Sequence, residues 1–294
     1  MAHFHMRHFH VPTRFGAHLK TAGLALLMAA ALLLVVPARA SASKVTKCTA
    51  LDICYCVNTD YLDAIKDKIT GVRQQISDNR KQGKAIGYLS IPISPAGGGS
   101  SEVNTRVAKA TTDSLTERFG VRSVWLLNPA AKDPDPAAKD PMTGASGADY
   151  MYMWTQILEG RNGLGLGEDF DFFYFTGPSD FARFFQVSGP GTLDQLGTWF
   201  DTKVPNDPVL KQSVEDQHVT RSGFQNYYGL RASVAFSYGS HDEWNIARAI
   251  NERRRGAVDF GIANQLAVFF DGQPVTPGAY ENPAASGDTG RCIN

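Results

Sequence analysis

A chain of 294 residues that is 43% apolar and 20% charged has the composition of an ordinary globular protein with a sizeable core, in one large domain or two small ones. Its formal charge is zero, but Arg7, Arg14, Lys20 and Arg39 all precede Ser41 with no acid among them, so the remainder carries a mild net −4, which argues against general nucleic-acid binding. Five of the seven histidines also lie in this opening stretch, and the two others, His218 and His241, are too few for a histidine-rich zinc or iron centre.

The opening stretch has the form of a secretory signal. A basic, His-rich segment precedes the apolar run Ala22 to Val36, and Ala38-Arg39-Ala40 is an A-x-A cleavage site, with a second legal cut after Ala42. The run falls short of the roughly 20 residues that span a bilayer. Residues 1–40 are therefore expected to be removed, which leaves no membrane anchor and an exported protein, periplasmic or secreted. Four cysteines remain: Cys48, Cys54, Cys56 and Cys292. An even count in an exported chain points to disulfides, and if all four pair, at least one bridge ties the two ends together. A zinc site built from the same four is the alternative, although their spacing lacks paired C-x2-C knuckles.

Residues 41–58 form a Cys-containing N-terminal segment, and the spacing predicts a single α/β domain over 59–272. Its first helix, Asp60 to Arg80, repeats Leu62, Ile65, Ile69, Val72 and Ile76 at steps of three and four. That seam serves either packing on the sheet or a homo-oligomer contact. Ala85 to Ile93 reads as a strand, Ser94 to Ser101 as a glycine-rich loop, Asn104 to Gly120 as a helix with Val103, Val107, Ala110, Leu115 and Phe119 on one side, and Val121 to Leu127 as a second strand. This βαβ unit implies a parallel sheet. Ala130 to Ala148 is a long Pro- and Asp-rich loop.

A helix follows over Asp149 to Glu159. The glycine-rich turn Gly160 to Gly167 neither follows a strand nor opens a helix, so it is not a dinucleotide fingerprint, and no cofactor is expected. Phe170 to Phe175 is a third strand. Short helices follow over Ser179 to Phe185, with Phe181, Phe184 and Phe185 as core, and over Leu193 to Phe200, with a further helical stretch over Pro205 to Thr220. Arg231 to Tyr238 reads as a fourth strand, Gly239 to Glu243 as a turn into a helix ending at Arg255, and Gln265 to Phe270 as a fifth strand. Residues 273–294 read as an irregular tail. The fold class is α/β in three layers, a mostly parallel five-stranded sheet of flavodoxin or Rossmann type with helices on both faces.

In such a sheet, ligands sit at the carboxyl ends of the strands. The loops after Ile93, Phe175 and Tyr238 are expected to share that rim. Their carboxylates, Asp180, Asp242 and Glu243, can supply a nucleophile and an acid or base for glycosyl chemistry, with His241 as proton carrier. Ser240 to Glu243 is equally a capping box, S-x-x-E. Tyr88, Ser94, Gly97, Gly98, Asn128 and Gly177 are the candidate substrate-binding residues, and no metal ligands are expected. No G-x-S-x-G nucleophile elbow is present. An aromatic set that includes Tyr150, Tyr152 and Trp154 supports a second reading, a non-catalytic ligand-binding or interaction module.

Tyr88-Leu89-Ser90, Pro92, the glycine-rich loop, a helix with Asn104 and Leu115, and then Asn128-Pro129-Ala130 resemble the opening of nucleoside 2-deoxyribosyltransferase-like proteins. The Asp149-Tyr150-Met151 helix and the strand bearing Asp171 extend the resemblance over about residues 85–177. It implies a flavodoxin-like sheet and a glycosyl-transfer or N-glycosidase site with a Glu nucleophile acting on a small glycosidic substrate. In that family the Glu lies on the helix after the third strand; here that helix carries Asp180, and Glu243 comes from the next unit.

Overall fold

The computed structural model describes residues 43–131, 139–231, 238–257, 264–276 and 289–293, all within one compact unit, Ala42–Asn294. The expected signal segment lies outside the described residues, as do the middle of the loop over 130–148 and most of the tail over 273–294. Among the described residues no helix is long and apolar enough to cross a membrane.

The N-terminal segment is a β-hairpin. β1 (Lys44–Cys48) pairs antiparallel with β2 (Cys54–Asn58). Both disulfides sit on it: Cys48 bonds Cys54 across the pair, and Cys56 bonds Cys292. These pairings rule out the zinc alternative and match an oxidising compartment. The hairpin docks onto α3 (Gly147–Leu158) through two carboxylates. Asp149 accepts from the Asn58 amide at 2.8 Å, and Glu159 accepts from the Leu51 amide at 3.1 Å. It is thus part of the domain's core and not an appendage.

α1 (Leu62–Lys81) buries Ile65, Ile69 and Ile76 against α3 and β3 (Ala85–Ser90). Its seam thus packs inside the chain, the first of the two readings. β3 runs into α2 (Ser101–Phe119), whose N-cap is Ser100. β4 (Val124–Leu127) and β5 (Phe172–Phe175) flank β3 in parallel, and β6 (Ala267–Phe270) adds beside β5. β7 (Gln273–Pro274), at the start of the expected tail, closes the sheet antiparallel to β6. The order is β4-β3-β5-β6-β7, five strands and mostly parallel, as expected.

The fifth strand is a different one, however. Arg231 closes a π-helical turn, Tyr227–Arg231, and Tyr238 opens α8 (Tyr238–Gly256). The other residues of the expected strand over 231–238 lie outside the described residues. Between β5 and α8 come α4 (Pro178–Phe185), α5 (Thr192–Lys203), α6 (Pro208–Asp216) and α7 (Arg221–Asn226).

Strand alternation divides the sheet's side chains between two cores. Tyr88, Phe173, Phe175 and Val268 face α1, α3 and α8. Leu89 and Tyr174 face the opposite side, with α2 and α4 to α7. Gly87 lies on this second face, and the far end of the Phe172 ring occupies the space beside it, so a Cβ there would overlap the ring. Gly87→Ala is expected to cost about 1–3 kcal/mol by overpacking, read by urea denaturation. Phe172→Ala in the same chain should recover part of that loss; additive losses would show that the ring is not the cause.

Candidate active site

The parallel strands reverse their order between β3 and β5, the place where crevices form in open α/β sheets. Ser90 and Phe175, the last residues of these two strands, are register partners. Above them lies the first part of α8. The Trp244 ring meets Phe175 edge to face at 4.8 Å, and Ile246, Ala247 and Ile250 continue into the same core. This packing carries Glu243 to the end of β3. Tyr88 Oη donates to Glu243 Oε1 and Ser90 Oγ donates to Oε2, each at 2.5 Å.

Every residue from Ser240 to Trp244 is at most 6% exposed. Five consecutive buried residues, four of them polar, are unusual in a helix, where one face is normally solvated. Because α8 begins at Tyr238, Ser240 lies inside the helix and is not its N-cap, which corrects the capping-box reading. Burial pushes the Glu243 carboxyl up to about 7; the bonds from Ser90 and Tyr88 pull against that, and the charge of Asp242 adds to it. Burial, together with Glu243's charge and hydrogen bond, holds the Tyr88 phenol well above its ordinary range, so it remains a donor. His241 is 6% exposed, and its Nε2 has no hydrogen-bond partner among the described residues.

The other expected site residues lie elsewhere. Asp180 is on the opposite face of the sheet, where it accepts from Tyr174 Oη at 3.1 Å, from the Gly177 amide at 3.1 Å and from Arg183 at 3.3 Å. It caps α4 and is spent there. Gly177 is needed because Asp271 packs where its Cβ would be. Asp171 sits at the amino end of β5, accepting from Arg80 at 2.5 Å and from the Ile86 amide at 2.6 Å.

The glycine-rich loop turns away from Glu243. Gly98 rests on the Gly223 backbone and Gly97 on the Tyr227 ring, while Asn104 Nδ2 reaches the carbonyls of Ile93 and Ser94, 3.3 Å from each. Asn128 Oδ1 accepts from the Ala130 amide at 2.9 Å as a turn residue. Of the expected substrate-binding set, only Tyr88 reaches Glu243. Ser90 was missed as a site residue, although two-residue alternation from Tyr88 places it on the same face.

No protein-family model, curated protein or solved structure matches this chain.

Proposed function

We propose that this protein is an exported α/β enzyme that cleaves or transfers an N-glycosidic bond of a nucleoside-like substrate, with Glu243 as the carboxylate nucleophile. One observation carries the reading: a buried Glu243 at the sheet's reversal point, with each carboxylate oxygen held by a hydroxyl of β3. The two hydroxyls fix the rotamer of an otherwise flexible side chain, as a nucleophile requires. In the reaction, a Glu243 oxygen bonds to the anomeric carbon as the carbon–nitrogen bond breaks. The base departs with the bonding pair and takes up a proton, for which buried His241, two residues before Glu243 in α8, is the proposed carrier. Water or a second acceptor then displaces the carboxylate. The two disulfides and the A-x-A leader support export, and the resemblance to nucleoside 2-deoxyribosyltransferase-like proteins supports the substrate class.

The test is base release from a panel of ribo- and deoxyribonucleosides. Activity that disappears in Glu243→Gln is expected. No release by the wild type, or an undiminished rate in Glu243→Gln, would remove the reading. Asp180→Asn serves as the control from the other face: it should change the rate less than about twofold while lowering stability by about 1 kcal/mol, as the bonds from Tyr174, the Gly177 amide and Arg183 lose their charged acceptor. A large rate loss in Asp180→Asn would return that residue to the site.

One observation favours a second reading, a binding module without catalysis. Tyr88 is fully buried and Glu243 nearly so, as in a satisfied core cluster. Under that reading the nucleoside panel gives no release, and Glu243→Gln alters stability alone.

A further inference from the structure

Among the described residues, the face of the sheet opposite Glu243 is incompletely covered. Between α2 and α4 a groove of about 770 Å³ runs down to the strands. Phe172 and Phe269 form its floor, half-buried and edge to face at 6.0 Å. Phe172 has room there because Gly87 beside it has no side chain. The walls carry one arginine each, Arg118 at the last turn of α2 and Arg183 on α4. Both are exposed, as is Phe119, which the sequence pattern places in the core but which is 53% exposed at the rim.

The charges are asymmetric. Asp271, the acid of the lining, already accepts from the Ser179 amide and hydroxyl at 2.8 Å each. Arg118 lies over the Phe119 ring and has no carboxylate within ion-pair distance among the described residues. Arg183 reaches Asp180 at 3.3 Å with a side chain still 62% exposed. The volume lies in the range of small-molecule sites, and an aromatic floor between cationic walls complements a ligand that is apolar at one end and negative at the other.

We infer that this groove is a binding site for a small amphipathic anion, its ring or short alkyl chain on Phe172 and Phe269 and its acid group held by Arg118 and Arg183. The site is independent of Glu243 and of the glycosidic reading. Anilinonaphthalene sulfonate, itself an aromatic anion, is the probe, titrated by fluorescence into the oxidised, folded protein. Saturable binding is expected, displaced by decanoate and far less by the uncharged decanol. Arg118→Gln/Arg183→Gln should weaken it about tenfold, the scale of losing charge-assisted contacts. Phe119→Ser, at an exposed position where folding is not at stake, should weaken it too, and Glu243→Gln should leave it unchanged. Three results would overturn the inference: no saturable binding, equal displacement by acid and alcohol, or an affinity indifferent to both the arginine pair and Phe119.

Discussion

Glu243→Gln should lose catalysis and gain stability at alkaline pH in the same molecule. The loss follows from the reaction: an amide cannot form the glycosyl ester, and removing a nucleophile costs on the order of a thousandfold in rate, about 4 kcal/mol of transition-state stabilisation. The gain follows from linkage. Glu243 stands at about 7 in the folded protein, against an ordinary value of 4.5. Between those values the folded state keeps a proton that the unfolded chain has released. The stability this contributes is therefore complete below about pH 4.5 and is lost as the pH rises through 7. The difference amounts to on the order of 3 kcal/mol, since each pH unit is worth about 1.4 kcal/mol.

Glutamine never ionises, so it escapes that descent. It can still accept from one of the two hydroxyls and donate to the other, at a cost of about 1 kcal/mol for the weaker bonds. Urea denaturation of both proteins from pH 4 to pH 9 reads the effect as the difference between two curves, in which the other titrating groups cancel. The wild type should fall relative to the variant between pH 4.5 and 7; parallel curves would show that Glu243 releases its proton at the same pH in the folded and unfolded states, without the upward shift. Activity has the opposite sign. A carboxylate nucleophile must be ionised, so kcat/KM should rise with pH up to about 7 and then level.

The second large effect concerns the ends of the chain. Cys56 and Cys292 are 236 residues apart in sequence, whereas Cys48 and Cys54 are separated by 6. In the loop-entropy account a bridge stabilises by restricting the unfolded chain, and the effect grows with the logarithm of the loop. That gives about 5 kcal/mol for the long closure and about 2 kcal/mol for the short one. Local contacts reinforce the long bridge: the Cys292 amide donates to Thr46 Oγ1 at 3.0 Å, and the Gly290 amide donates to the Cys54 carbonyl at 2.8 Å. Cys56→Ser/Cys292→Ser should therefore destabilise about twice as much as Cys48→Ser/Cys54→Ser in urea denaturation. Equal losses would mean that the bridges act through native contacts around the hairpin and not through the unfolded chain.

Much of this molecule can be read from residue order, because the relevant forces are local. The 3.6-residue recurrence of Ile65, Ile69 and Ile76 specifies α1 and its buried face. The apolar run at Tyr88 and Leu89, a glycine-rich break and the α2 pattern specify a parallel βαβ unit, and two-residue alternation puts Tyr88 and Ser90 on one face. Four cysteines in an export context foretell disulfides, one of which links the ends. The location of Glu243 could not be read this way. Ser240 to Glu243 is polar and looks like a solvated helix start, and its burial comes from Trp244 packing on Phe175, a contact spanning 69 positions that no periodicity encodes. Asp180 and Glu243 look equivalent as acids at strand ends, yet chain alternation and the path of α4 send the first to one face of the sheet while α8 brings the second to the other. Which carboxylate meets a tyrosine is settled only when helices distant in sequence choose their side of the sheet, since burial depends on what packs above a residue and not on what adjoins it in the chain.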